Sequence, residues 1–291
     1  MHKAGFINII GKPNVGKSTL MNKLIGQDLS IVTHKAQTTR HRIKGIANGE
    51  DYQIVFSDTP GILKPVYKLH EKMMDAVNSS FTDADLVILL VEVGEKNVDE
   101  DVAAKLKTLD VPLFVVINKI DRSDQEHVEH SSELWKNIFN PKEIIPVSAL
   151  ENFGVDELLK KIIEYLPESP PYYDKEDVTD KSVRFFVTEI IREKVLLNYQ
   201  KEIPYSVEVA VIDYKESKDI HVIRCEIYVA RESQKAIILG NKGDAIKRLG
   251  TQSRKKIEEM VGTKVFLDLT VKVKDDWRDN DNLLKNFGYD N

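Results

Sequence analysis

The sequence is poor in cysteine and has no long apolar run. Its single cysteine, Cys225, cannot form an internal disulfide, and its apolar surroundings fit a buried structural thiol in a reducing compartment. No apolar stretch approaches the roughly 20 residues that cross a bilayer. Met1-His2-Lys3 leads directly into a short apolar run rather than a signal peptide, so a cytoplasmic protein is expected. Internal repeats and low-complexity segments are missing as well. The net charge of −5 argues against a chain that coats nucleic acid all over, although it averages over domains and can hide a local basic face. What is present is ordinary for a globular chain: 291 residues, 42% of them hydrophobic and 31% charged, enough for two cores.

From residue 4 to about 166, apolar β-branched runs alternate with amphipathic stretches. The spacing predicts strands over 6–10, 52–57, 86–93, 113–117 and 144–147, with helices such as 98–109 and 155–166 between them. Runs that are apolar throughout imply a sheet covered on both faces. The exception is 43–48, which a Gly49-Glu50-Asp51 turn pairs antiparallel with 52–57. The expected fold is a doubly wound α/β domain, 1–166, with ligands beyond the carboxyl ends of its strands. Pro167-Glu168-Ser169-Pro170-Pro171 and the charged run after it predict a linker, 167–182. An α+β domain, 183–291, follows in the order α-β-β-α-α-β. Its first helix is expected to pack through Val183, Phe186, Ile190 and Leu197.

Gly11-Lys12-Pro13-Asn14-Val15-Gly16-Lys17-Ser18 matches the phosphate-loop pattern Gly-x4-Gly-Lys-Ser/Thr and lies between the first strand and a helix that opens with Thr19. Successive N–H groups there cradle an anion, Lys17 faces the β- and γ-phosphates, and the Ser18 hydroxyl is placed to coordinate Mg2+. Asp58-Thr59-Pro60-Gly61 closes the 52–57 strand. There Asp58 would reach the Mg2+ shell through water, and the Gly61 N–H would reach the γ-phosphate, so the loop is released when that phosphate leaves. Asn118-Lys119-Ile120-Asp121 selects the base. Asp121 accepts from the two adjacent donors of guanine, which adenine lacks. Lys119 lays its stem over the ring, and Asn118 ties the loops together. Ser148-Ala149-Leu150 brings the Ala149 N–H to the guanine O6. GTP and GDP are therefore the expected nucleotides, with Lys17, Thr39 and Gly61 at the reacting phosphate.

These four pieces resemble, in order and at the strand ends, those of the translation-factor-like bacterial GTPases. Lys35-Ala36-Gln37-Thr38-Thr39-Arg40-His41-Arg42 is similar to the first switch of the Era family, which implies that Thr39 contacts Mg2+ and the γ-phosphate. Ile62 stands where many GTPases carry the glutamine that orients the attacking water, so hydrolysis must rest on positioning and charge neutralisation. In similar GTPases an asparagine at the position of Asn14 coordinates potassium, which the resemblance extends to this chain.

Gly240-Asn241-Lys242-Gly243 between two helices fits the loop of a type II KH domain, which clamps single-stranded backbone where a Cβ would obstruct it. Lys235–Lys256 carries seven basic residues against the single acid Asp244. Lys247 with Arg254, and Arg248 with Lys255, share helix faces, while Ile246, Leu249, Ile257 and Met260 are expected to face the core. Ile237 and Leu239 complete the expected RNA surface. The resemblance to the Era family extends through Glu189–Lys194, Pro204–Val207, Val271–Lys274, Trp277 and Phe287–Tyr289. It implies a monomeric GTPase that binds the single-stranded 3′ end of small-subunit (16S) ribosomal RNA and assists 30S assembly. It also implies peripheral association with the inner membrane. The alternatives are an RNA chaperone with a structural nucleotide site, and a ribosome-associated or tRNA-modifying GTPase of another branch, which would lack the Gly240–Gly243 loop. His127 and His130 read as a solvated helix face, Asp75, Asp83 and Asp85 as helix-end and loop charges, and Trp135 and Trp277 as packing residues.

Overall fold

Apolar runs too short for helices and too apolar for a one-faced sheet leave one arrangement, strands covered on both sides, and the computed structural model, which describes residues 1–289, has it. The strands are β1 (Lys3–Ile10), β2 (Ile43–Asn48), β3 (Tyr52–Asp58), β4 (Leu86–Glu92), β5 (Leu113–Asn118) and β6 (Glu143–Pro146). Between them run α1 (Lys17–Ile25), α2 (Lys68–Ser79), α3 (Glu100–Lys107) and α4 (Gln125–Phe139), and α5 (Val155–Tyr165) follows the last. The sheet order is β2-β3-β1-β4-β5-β6, parallel except for β2 against β3, where Asn48 faces Gln53 as the hairpin turn requires. The chain leaves β1 towards β3 on one side and β4 on the other, so the loop after β1 lies at the switch point where such sheets bind ligands.

The chain divides into two units, Met1–Pro65 with Met73–Asp180, and Val66–Lys72 with everything from Lys181 onward. The segment expected as a linker is therefore not free over most of its length. Gln53, fully buried, accepts from the Tyr172 and Tyr173 N–H groups (2.7 and 3.0 Å) and donates to the Tyr173 carbonyl. Farther along, Ile46 N–H donates to the Val178 carbonyl and the Thr179 hydroxyl to that of Lys44. The strap covers the otherwise unpaired edge of β2, which an open sheet must protect.

The second unit follows the expected order: α6 (Val183–Asn198), β7 (Glu208–Lys215), β8 (Ile220–Val229), α7 (Glu232–Leu239), α8 (Asp244–Val261) and β9 (Lys264–Val273), then α9 (Asp281–Asn286). β7 is antiparallel and β9 parallel to the central β8. The buried face of α6 shares Ile190 with the expected one but is turned from it at the ends. Val187, Ile190, Ile191 and Val195 enter the core, while Val183 and Leu197 are exposed. The turn of the helix is set by a buried ion pair, in which Arg192 donates to both oxygens of Glu189 at 2.8 and 2.7 Å. The closing segment docks through Trp277, whose ring N–H reaches the Ser206 carbonyl at 3.0 Å, and through Tyr289, whose hydroxyl reaches Glu208 at 2.7 Å. Among the described residues no helix is long and apolar enough to cross a membrane.

Candidate functional site

The loop from β1 into α1 turns back on itself because three of its residues have left-handed backbone, Gly11, Asn14 (φ 64°) and Gly16 (φ 104°). At Gly16 a Cβ would come within 2.3 Å of the Asn118 amide nitrogen, so only glycine lets this loop and the end of β5 meet. Asn118 uses that closeness. Its amide donates to the Val15 carbonyl at 2.7 Å and its oxygen accepts from the Ala149 N–H at 2.9 Å. One buried side chain thus fastens the phosphate loop to the loop after β6.

Lys17 lies at the first turn of α1, buried, with its ammonium on the Gly11 and Lys12 carbonyls at 3.0 and 2.9 Å. Burial pushes its pKa down to about 8, against the pull of Asp58 and Glu95. Ser18 Oγ donates to Asp58 Oδ2 at 2.6 Å and Thr39 Oγ1 to the same atom at 3.1 Å, with the two hydroxyls 2.9 Å apart. The three expected metal ligands therefore converge although they come from three segments. Asp58 Oδ1 is buried with no partner in hydrogen-bond geometry, and burial raises the carboxyl's pKa although the Ser18 hydrogen bond, the Lys17 charge and the nearby Ser30 and Thr39 hydroxyls oppose it. A buried carboxylate oxygen left unsatisfied beside two hydroxyls is the donor set of a small hard cation, so these residues fit Mg2+. Gly61 presses against the phosphate loop, where a Cβ would lie 2.8 Å from Pro13.

On the base side, Asp121 Oδ1 accepts from the Ser148 hydroxyl at 2.6 Å, which aims the carboxylate. Lys119 has left-handed backbone (φ 65°) and its ammonium pairs with Glu92 at 2.7 Å. A cleft of about 420 Å³ joins the two halves, and Asn14, Lys17, Ser18, Thr39, Asp121 and Ala149 all line it. Pro13, Gly16, Thr19, Gly61, Lys119 and Leu150 border it too.

Several expected contacts are spent elsewhere. Ile62 is turned into the core beside Ile10 and Val77, and its N–H donates to the Gly11 carbonyl at 3.1 Å, so neither its side chain nor its amide faces the cleft. The Thr59 hydroxyl donates to the Ile9 carbonyl at 2.8 Å, and Pro60 is buried. Lys12 points to Asn97 and Glu95. Ile120 donates its N–H to the Val147 carbonyl. Sequence reasoning missed Ile31, Val32, Thr33 and His34, which line the cleft ahead of the recognised switch segment, and Arg122. It also missed Glu92 and Glu95, although Glu92 ends β4 at the carboxyl edge where ligands belong.

In the second unit Gly240, Lys242 and Gly243 have positive φ (73°, 50° and 83°), and at Gly240 a Cβ would meet Ala245 at 2.5 Å. The loop stands out beside exposed Asn241, Lys242, Lys247, Arg248, Arg254 and Lys255. None of these five cations has an ion-pair partner among the described residues, whereas Lys235 and Lys256 approach Glu232 and Glu193. Ile237 is exposed, as an RNA contact must be, but Leu239 is half-buried against the core. Met260, expected inside, is exposed.

The family described as 50S ribosome-binding GTPase matches residues 6–119, and the KH domain family matches residues 202–278. The GTPase Era of Clostridium kluyveri is 45% identical over 99% of this chain and 100% of its own length. That of Alkaliphilus metalliredigens is 42% identical, covering 99% of each chain. A single-residue variant of Aquifex aeolicus Era bound to GDP and AlF4− superposes with a TM-score of 0.94 at 38% identity over 99% of each chain. Era in complex with MgGDPNP and nucleotides 1506–1542 of 16S ribosomal RNA gives 0.93 at 38% identity, again over 99% of each chain.

Proposed function

Because this chain belongs to the Era family of GTPases, we propose that it is a GTP-hydrolysing switch that binds the 3′ end of 16S ribosomal RNA and assists assembly of the 30S subunit. The observation that carries the nucleotide half is the single cleft in which Lys17, Ser18, Thr39 and Asp121 meet, fastened by Asn118. Lys17 holds the β- and γ-phosphates, and the N–H groups of the phosphate loop surround them. Ser18 and Thr39, with Asp58 through water, would hold Mg2+, which would supply positive charge against the negative charge that grows on the reacting phosphate. With Ile62 in the core, no side chain at that position orients the attacking water. Thr39 and the Gly61 N–H report the γ-phosphate, and its departure releases both. Asp121 admits guanine.

Asn14 carries a further part of this reading. Its side chain lines the cleft and its amide makes no hydrogen bond among the described residues, leaving an oxygen donor for potassium beside the phosphates. GTP turnover is expected to be faster in potassium chloride than in sodium chloride, and Asn14→Ala to remove the difference. Equal rates for the unaltered chain in the two salts sink this role.

The RNA half rests on the strained Gly240–Gly243 loop and its unpaired cations. Lys242→Asp is expected to weaken binding of a single-stranded oligonucleotide of the 16S 3′ end about tenfold at physiological salt and to flatten the salt dependence. Filter binding at several salt concentrations reads both, and an unchanged slope would move the RNA surface elsewhere. We place the protein in the cytoplasm as a monomer, with peripheral membrane contact as the family resemblance implies. Crosslinked reads spread evenly over cellular RNA would leave a GTPase but remove the ribosomal assignment.

A further inference from the structure

Arg42 ends the segment that resembles a first switch and does not line the cleft, yet its guanidinium is fully engaged in hydrogen bonds. Its guanidinium grips Asp83 with both ends, at 2.7 and 2.8 Å, in the fork geometry that arginine alone provides. The same group donates to Asn8 Oδ1 at 3.0 Å and to Ser57 Oγ at 2.9 and 3.1 Å. Asn8 and Ser57 are fully buried polar residues in β1 and β3, and Asn8 completes the ring by donating to Asp83 at 2.9 Å and to the Ser80 carbonyl. Burial alone would raise the Asp83 pKa. The hydrogen bonds and charge of Arg42, with Asn8, instead hold it below the usual carboxylate range. Three side chains, Asn8 on β1, Ser57 on β3 and Asp83 in the turn after α2, thus fix one guanidinium, and none of them lines the cleft.

What this fixes is one end of the loop that carries Thr39. Arg42 immediately precedes β2 and follows Thr39 by three residues, a span of at most about 10 Å. Upstream, the cleft-lining part of the loop is internally braced by the Thr33, Thr38 and Lys35 hydrogen bonds. We propose that Arg42 is a positioning residue for GTP: through Asp83, Asn8 and Ser57 it pins the loop where the Thr39 hydroxyl meets Ser18 and Asp58. Without the pin, a smaller fraction of molecules holds Thr39 in place. Apparent affinity falls by that fraction for a ligand that needs Thr39, and not for one that does not. GTP needs it, through the γ-phosphate; GDP does not.

Arg42→Gln is expected to weaken a non-hydrolysable GTP analogue about tenfold while GDP affinity stays within about twofold. Asp83→Asn, at a carboxylate 44% exposed, should act in the same direction, and the double variant should be no worse than Arg42→Gln because both remove one contact. A purely structural role would weaken both nucleotides equally and lower the melting temperature in proportion. Equal losses, unchanged analogue affinity, or additive effects of the two substitutions each overturn the proposal. Should Arg42→Gln fail to fold, the analogue-to-GDP ratio of Asp83→Asn decides. The inference rests on the guanine-nucleotide reading, and the unaltered chain separates the two. If that chain binds neither nucleotide, the wider reading fails; if it binds both and the variants keep its analogue-to-GDP ratio, only the role of Arg42 fails.

Discussion

Asp121→Asn is expected to lower GTP affinity about 10^3-fold and to bring xanthosine triphosphate close to the affinity that GTP had. The first part follows from losing two charge-assisted hydrogen bonds, at ~1.5–3 kcal/mol each. A carboxylate offers acceptors to both the N1–H and the exocyclic amino group of guanine. An amide offers one acceptor and one donor, so its NH2 would confront the guanine amino group. Xanthine has a carbonyl at that place, which the amide NH2 satisfies. The geometry makes the exchange clean, because Asp121 is aimed by the Ser148 hydroxyl at 2.6 Å, a donor an amide oxygen also accepts. Asn118 keeps its bonds to Val15 and Ala149, so the phosphate half of the cleft stays in place. Fluorescent-nucleotide titration with the guanosine, xanthosine and adenosine triphosphates reads all three. A variant that keeps its GTP affinity, or gains nothing for the xanthosine nucleotide, would mean that Asp121 does not touch the base.

Much of this was legible in the sequence because the chemistry sits at strand ends, and strand ends are marked by a change from apolar to polar residues. Asp58, Asn118 and Ser148 each come at or just beyond such a change, and the fold carries all three to one edge. The edge hairpin was legible for a different reason, since Gly49-Glu50-Asp51 leaves 43–48 and 52–57 no other short-range partner. The strap was not. Proline and charge mark 167–182 as a linker, but at Tyr172 and Tyr173 a buried amide holds its backbone and farther along the edge of β2 does, and the one trace of this in the sequence is a polar Gln53 inside an apolar strand. The face of α6 is not legible from apolar spacing because a buried ion pair, Glu189 with Arg192, occupies part of the inward surface. Ile62 neighbours site residues in sequence, but its side chain follows the larger gain of joining the core. Residues 31–34 carry no periodicity and no motif, and only the folded loop brings them to the cleft.

Lys17→Met should lower GTP turnover by about 10^2–10^3-fold, the effect of removing one preorganised charge from a site where negative charge develops. The unaltered chain should also show a pH signature that this variant lacks. In the folded chain without nucleotide the ammonium is buried on the Gly11 and Lys12 carbonyls and its pKa lies at about 8, below the 10.5 of a free lysine. Only the charged form attracts phosphate. Nucleotide affinity should therefore be level below pH 8 and fall about tenfold per unit above it, with proton uptake on binding. Stability without nucleotide runs the other way. Between pH 8 and 10.5 the unfolded chain binds more protons at this lysine than the folded chain does, so its contribution to stability rises with pH through that window. The two slopes have opposite signs and a common origin. Calorimetric titration with GDP at pH 7, 8, 9 and 10, in two buffers of different ionisation enthalpy, separates proton uptake from binding heat. Should Lys17→Met keep the alkaline fall in affinity, another group titrates there; should it keep the turnover, the phosphate-loop lysine is not what neutralises the reacting phosphate.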